Sequence, residues 1–223
     1  SVHSTMTEPT ESITASAVNP HWPQRLRRPA SGILLALSAF GLSGCAANGT
    51  HEPVSILIDG GHGLANFDQS GEGNWNAGGG AIQADQSRTT YAYLVTKRQY
   101  ENFRLELEFW SSDDANSGVF FRCQDPQNIT AENCYEANIF DRRPDPSYGT
   151  GGIVLIAKSP TPMPKAGGRW NRYEITAIGP RLTLVLNGVT TVDAVDAKLA
   201  GGYIALQWGS GIIKFRKLEI QPL

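Results

Sequence analysis

Three polar residues stand in two otherwise apolar runs of this chain, and their chemical types suit acid–base or electrophilic chemistry. The run SGVFFRC contains Arg122, and the run CYEANIF contains Glu136 and Asn138. If both runs form β-strands, Phe120 shares a face with Arg122, and Glu136 shares a face with Asn138. With the strands side by side, we expect these four side chains on one sheet surface. They would then place a carboxylate, a guanidinium and an amide beside an aromatic ring.

The same pattern has a simpler explanation, which the sequence leaves open. Arg122 and Glu136 would then form an ion pair on an exposed sheet, an interaction that contributes little to stability. A concave surface with aromatic and fixed polar groups would instead suit a polyhydroxylated ligand. Alternation identifies a face without saying whether anything covers it.

Two cysteines, Cys123 and Cys134, bracket the polar segment QDPQNITAEN between these runs. A disulfide here would hold two strand ends together and contribute about 2–3 kcal/mol in the chain-entropy model. A shared metal ion is the alternative, but no histidine or third cysteine lies nearby in the sequence. We therefore predict the disulfide.

The amino-terminal segment has the pattern of a secretory signal. Three arginines precede the apolar run GILLALSAFGL, and small residues and Cys45 follow it. The run is too short to span a membrane as a helix. Its end, LSGC, resembles the lipobox of bacterial lipoproteins, which implies that Cys45 carries lipid. We expect a protein anchored by lipid in the bacterial envelope, facing the periplasm or the exterior, with a signal peptide with a long leader at 1–44, a lipidated tether at 45–53 and one domain at 54–223.

The elements that must position the polar residues are strands. In NFRLELEFW the apolar and charged residues alternate, and RWNRYEITAIG, RLTLVLNG, GGYIALQWG and GIIKFRKLEIQPL continue the pattern. Asn187-Gly188 suits a type I′ hairpin turn. Many strands about ten residues apart predict an all-β fold, either a β-sandwich or a jelly roll. Trp75 and Trp170 are expected in its core or at its corners.

Further candidates for ligand binding lie outside the two central runs. The loop DRRPDPSYGTGG carries Asp141 and Tyr148 and is expected at the rim of the sheet, although a solvated turn would look the same. In IALQWGSG, alternation places Gln207 towards the same groove as Glu136. The net charge of −2 argues against a nucleic-acid partner.

Five motifs between Ile56 and Ile220 occur in a characteristic order: NSGVFFR, YEANIFD, YGTGGIV, RWNRYEITAIGPRLTLVLNGV and GYIALQWGSGIIKFRKLEI. Together they resemble the 3-keto-disaccharide hydrolase domain family, whose members have a concanavalin A-like jelly roll. This chain has Asn138 where many members have glutamine, which bears on ligand preference.

The resemblance implies a secreted or lipid-anchored enzyme that cleaves glycosides oxidised at C3. A ketone at C3 acidifies the proton on C2, so a base can form an enolate that expels the group on C1; water then adds. Glu136 is the candidate base, and Arg122 or a divalent cation held by Glu136 is the candidate electrophile. The remaining substrate-binding candidates are Phe120, Asn138, Asp141, Tyr148 and Gln207.

Three other functions stay open. One is a non-catalytic carbohydrate-binding envelope lipoprotein that uses the same face. Another is a structural envelope protein, whose groove would be shallow and filled by its own side chains. The third is a glycosidase for unoxidised sugars, which needs a second acid roughly 5–10 Å from the first. Asp141 is the nearest candidate in sequence.

Overall fold

Two antiparallel sheets pack face to face in the computed structural model, which describes residues 52–223. The five-stranded sheet has the order β2 (Phe67–Ser70), β5 (Ala92–Thr96), β12 (Tyr203–Trp208), β7 (Ser117–Cys123) and β8 (Tyr135–Ile139). The second sheet has the order β11 (Val189–Val195), β10 (Arg181–Leu186), β9 (Trp170–Ile178), β6 (Phe103–Ser111), β13 (Ile213–Pro222), β4 (Ala81–Ala84) and β3 (Asn76–Gly78), with β1 (Ser55–Asp59) also paired to β13. The predicted all-β class is confirmed.

The strands follow from the alternation read in the sequence. In β6, Phe103, Leu105, Leu107 and Phe109 are fully buried, whereas the residues between them are partly or largely exposed. Asn187 and Gly188 both have positive φ, as a type I′ turn requires, and they join β10 to β11.

Aromatic side chains join the two sheets through one main core. Phe121 of the five-stranded sheet meets Phe103 of the other sheet edge-to-face, with ring centroids 6.1 Å apart. Trp75 is buried and stacks on Phe215, as expected of a core residue. Trp170 differs: it opens β9 and is only partly buried, with the Arg216 guanidinium 4.2 Å from its ring centroid.

The predicted signal peptide, the lipidation site Cys45 and most of the tether lie outside the described residues. Within residues 52–223, no helix has the length and apolar character needed to cross a membrane.

Candidate active site

A pocket of about 360 Å³ lies on the face of the five-stranded sheet that is turned away from the main core. This face carries a second buried apolar cluster, which includes Tyr93, Val95, Phe120 and Ala205. The loops that follow β7 and β8 complete the walls. The pocket is lined by Tyr91, Tyr93, Asn116, Phe120, Ile129, Thr130, Ala131, Glu136, Asn138, Phe140, Arg143 and Gln207.

Glu136 brings a carboxylate into this pocket from the middle of β8. Its flanking residues Tyr135 and Ala137 point into the main core, so alternation turns Glu136 outward, as predicted. The residue is only 9% exposed, and no hydrogen bond from a described residue contributes to the pKa of its carboxylate. Burial raises the pKa of Glu136 to about 7, partly offset by the positive charge of Arg143. Such a group exchanges a proton readily near neutral pH.

Gly118 gives the Glu136 side chain its space. It pairs with Asn138 across the β7–β8 ladder, and a Cβ atom on it would lie 3.0 Å from Glu136 Oε1 and 3.2 Å from Cγ. Any larger residue would push the carboxylate aside. The glycine of the Asn-Ser-Gly sequence is therefore part of how the site is built.

Two amide side chains present unpaired oxygens beside the carboxylate. Asn138 is 1% exposed and its Nδ2 donates to the Tyr148 carbonyl at 2.7 Å, but its Oδ1 has no partner. Gln207 is 5% exposed and its Oε1 is likewise unpaired, while Nε2 lies 3.5 Å from the Tyr93 hydroxyl. Both amides line the pocket, as their alternation predicted.

Arg143 supplies the positive charge in the pocket, a position that the sequence did not reveal. Its backbone N–H meets the Phe140 carbonyl at 3.5 Å in a turn at the end of β8, and its side chain lines the pocket. Its charge is close enough to lower the pKa of Glu136. Two adjacent arginines in a loop are also typical of a solvated turn. Only the path of the loop in the structure distinguishes Arg143 from its exposed neighbour Arg142.

The predicted position of Arg122 on the Glu136 face is wrong. Its guanidinium donates to the carbonyls of Glu101 at 2.7 and 3.0 Å, Gly179 at 2.7 Å and Leu199 at 2.9 Å. These carbonyls belong to connections between strands, not to the pocket. Arg122 is thus a buried cross-link between loops, and the electrophile predicted from its face is not in the site.

A β-bulge causes this reversal. Arg122 has φ of +53°, and the β7–β12 register shifts between Tyr203 and Ala205. The extra residue breaks the alternation, so Cys123 returns to the face of Phe120 and joins the same apolar cluster. Phe120 does line the pocket.

Asp141 and Tyr148 do not line the pocket, contrary to their predicted place at a binding rim. The Asp141 carboxylate accepts hydrogen bonds from Thr150 Oγ1 at 2.6 Å, Ala166 N at 2.9 Å and Gly167 N at 2.8 Å. It therefore fixes the loop after β8. Tyr148 contributes its carbonyl to Asn138. Asp141, the candidate second acid of an ordinary glycosidase, is therefore hydrogen-bonded to its own loop and does not face the pocket.

The predicted disulfide between Cys123 and Cys134 is present. It closes the loop after β7, which supplies Ile129, Thr130 and Ala131 to the pocket wall. The cross-link thus ties one wall of the pocket to the ends of β7 and β8.

The side chains that line the pocket limit which residues could bind a divalent cation. Among the described residues, no group of three or more His, Cys, Asp or Glu side chains is placed to hold a metal ion. A cation bound to Glu136 would draw its other protein ligands from the Asn138 and Gln207 amide oxygens, which are oxygen donors of the kind hard cations prefer. Arg143 lines the same pocket and would repel it.

Residues 54–221 match the profile of the family described as the 3-keto-alpha-glucoside-1,2-lyase-like domain. The chain belongs to this family. The resemblance found in the sequence motifs is thereby confirmed. The search among curated proteins gave no match.

Solved structures with the same fold agree with this family's jelly roll. A presumed glycosyl hydrolase from Parabacteroides distasonis ATCC 8503 is 24% identical, with a TM-score of 0.63 over 77% of this chain and 100% of that chain. A Bacillus subtilis protein with a galectin-like fold is 11% identical, with a TM-score of 0.59 over 78% and 96%. The carbohydrate-binding module CBM66 from Bacillus subtilis is 14% identical, with a TM-score of 0.54 over 77% and 97%. At these identities the similarity establishes the fold, and the predicted jelly roll is confirmed.

Proposed function

We propose that this protein cleaves 3-keto-glycosides and that Glu136 is the base that removes the proton from C2. One observation carries the proposal: a carboxylate with a pKa of about 7 lies in a pocket beside a cation and unpaired amide oxygens. A surface ion pair would have neither the burial nor the raised pKa. The family description, which names a 3-keto-alpha-glucoside lyase, supports the same substrate class.

The reaction follows from the ketone. The Glu136 carboxylate takes the proton on C2, and the electron pair moves into an enolate whose charge rests on the C3 oxygen. The enolate re-forms the ketone as the C1–O bond breaks, which leaves a C1–C2 double bond. A proton passes from Glu136 to the departing oxygen. Addition of water across the double bond gives the free keto sugar and the overall result of hydrolysis.

Arg143 replaces Arg122 as the candidate for stabilising the enolate. It is the one Lys or Arg side chain among the described residues lining the pocket. Cations positioned where negative charge develops lower the barrier of such reactions. A divalent cation held by Glu136, Asn138 and Gln207 is the other candidate, and a chelator separates the two.

Non-catalytic carbohydrate binding is the second candidate function. It is favoured by the aromatic side chains that line the pocket, Tyr91, Phe120 and Phe140 among them, because such groups suit the apolar faces of sugars. The fold shared with a carbohydrate-binding module supports it as well.

The test is turnover of 3-keto-trehalose and trehalose by the purified full chain in mild detergent, with and without a chelator, followed by NMR. We expect glucose or an unsaturated keto sugar from the oxidised substrate alone. Glu136→Gln should lose about 100-fold or more of this rate. Asp125→Asn, which changes an exposed carboxylate on the loop after β7, is the matched control and should retain activity. Binding without turnover would favour the second function, and full activity of Glu136→Gln would remove Glu136 as the base.

We further propose that Cys45 anchors the protein by lipid in a bacterial envelope, as the LSGC sequence implies. Metabolic labelling with a radioactive fatty acid should mark the wild-type protein and not Cys45→Ser. Equal labelling of the two would contradict the anchor.

A further inference from the structure

The Asn138 side chain is a fixed hydrogen-bond acceptor that faces a ligand pocket and has no partner. Its Nδ2 is held by the Tyr148 carbonyl at 2.7 Å. If the positions of Nδ2 and Oδ1 were exchanged, Oδ1 would face the Tyr148 carbonyl oxygen, and two acceptors would repel each other. Oδ1 is therefore the atom that has no partner. That oxygen is buried and unpaired.

The backbone at Asn138 leaves the side chain little freedom to turn elsewhere. Its N–H donates to Gly152 O at 3.0 Å, and its carbonyl accepts from the Tyr173 hydroxyl at 2.6 Å and from Gly151 N at 3.3 Å. Leaving a buried acceptor unpaired costs free energy, so such an atom in a pocket points to a donor supplied by the ligand.

From this geometry we infer that Asn138 determines specificity by accepting a hydrogen bond from one hydroxyl group of the keto sugar. The inference rests on the proposed function. An amide oxygen repels the C3 ketone and the enolate oxygen that replaces it, because all three are acceptors. The ketone would then lie away from Asn138, towards a donor such as Arg143, and the hydroxyl towards Asn138. Asn138 would thus orient the sugar ring, because its oxygen accepts from a hydroxyl group and repels the ketone.

The test compares ligands and variants in one cycle. The ligands are methyl 3-keto-α-glucoside and its 2-deoxy, 4-deoxy and 6-deoxy analogues. Their dissociation constants are measured by calorimetry on full-length Glu136→Leu, which removes the proposed base and adds no donor beside Asn138. We expect one analogue to bind about tenfold more weakly than the parent sugar. In the double variant with Asn138→Leu, that difference should shrink to less than about twofold.

The control is Asn76→Leu on the far sheet, where another asparagine donates Nδ2 to a backbone carbonyl at 2.9 Å. It should preserve the tenfold difference. The comparison of analogues on Glu136→Leu alone needs no change at Asn138, so a poorly folding Asn138→Leu would not prevent the test. Parent and analogues that bind equally well, or a loss that is the same with and without Asn138, would overturn the inference and leave the proposed function standing. Failure to bind any keto-glycoside would overturn both.

Discussion

Phe120 lies directly opposite Glu136 in the β7–β8 ladder, and its buried ring forms part of the wall around the carboxylate. The ring meets Tyr93 edge-to-face, with centroids 5.6 Å apart. This arrangement excludes water from one side of Glu136, and burial is the main cause of its raised pKa. The acid–base behaviour of the site thus depends on an apolar cross-strand neighbour.

Replacing Glu136 by glutamine should stabilise the protein in a pH-dependent way. The pKa of about 7 in the folded protein lies above the ordinary value of 4.5, so ionisation opposes folding. The stability present below pH 4.5 is lost as the pH rises towards 7. We expect the free energy of unfolding of Glu136→Gln to exceed that of the wild type by about 3 kcal/mol at pH 8. At pH 4 the two values should be almost equal. Urea unfolding at the two pH values measures this, and a gain that is the same at both would contradict it.

The pH dependence of turnover should follow the same group. Because the carboxylate is the base, kcat/KM for a 3-keto-glycoside should rise with pH and level off above about 7. Phe120→Val should admit water, lower the pKa of Glu136 and move the rising limb to lower pH. Phe121→Val is the control, since the neighbouring ring faces the main core and should alter stability without moving the limb. An unmoved limb in Phe120→Val would show that its ring does not set the pKa.

Arg143→Met should have two effects with one electrostatic cause. Loss of the positive charge should raise the pKa of Glu136, which shifts the rising limb to higher pH, and should lower kcat by about 100-fold. Arg142→Met removes the adjacent exposed arginine and should change neither value appreciably. A full kcat in Arg143→Met, combined with inhibition by a chelator, would assign the electrophile to a metal ion instead.

Arg122→Ala should lower the free energy of unfolding and leave the catalytic rate nearly unchanged. It leaves the carbonyls of Glu101, Gly179 and Leu199 without their donor, which should cost about 3 kcal/mol or more of unfolding free energy. Arg104→Ala, an exposed change on β6, should cost less than about 0.5 kcal/mol. Turnover per folded molecule should stay near the wild-type rate. A loss of about 100-fold in well-folded Arg122→Ala would return Arg122 to the catalytic site.

Reduction of the Cys123–Cys134 disulfide should lower both stability and ligand affinity. The bond spans a sequence separation of 11 residues, for which the chain-entropy model gives about 2–3 kcal/mol. The freed loop also carries part of the pocket wall, so substrate affinity should fall. Denaturant titrations and keto-glycoside binding with and without a reductant test both effects. Unchanged affinity after complete reduction, checked by thiol titration, would separate the loop from the site.

The sequence by itself determined the strands, the all-β class, the disulfide and the outward face of β8. Each depends on local chemistry: period-two alternation buries Tyr135 and Ala137 and thereby turns Glu136 and Asn138 the other way. The family motifs also belong to this level, because residue types in order carry them.

The tertiary structure decided which charges meet. Arg122 is itself the bulged residue with positive φ, and its side chain therefore reaches loop carbonyls that are 21 to 77 residues away in sequence. Strand alternation does not predict such a bulge. The path of the loop after β8 places Arg143 at the pocket, and hydrogen bonds to the Asp141 carboxylate hold this loop in place. Long-range hydrogen bonds and burial set these outcomes, and they exist only once the chain has closed around the site.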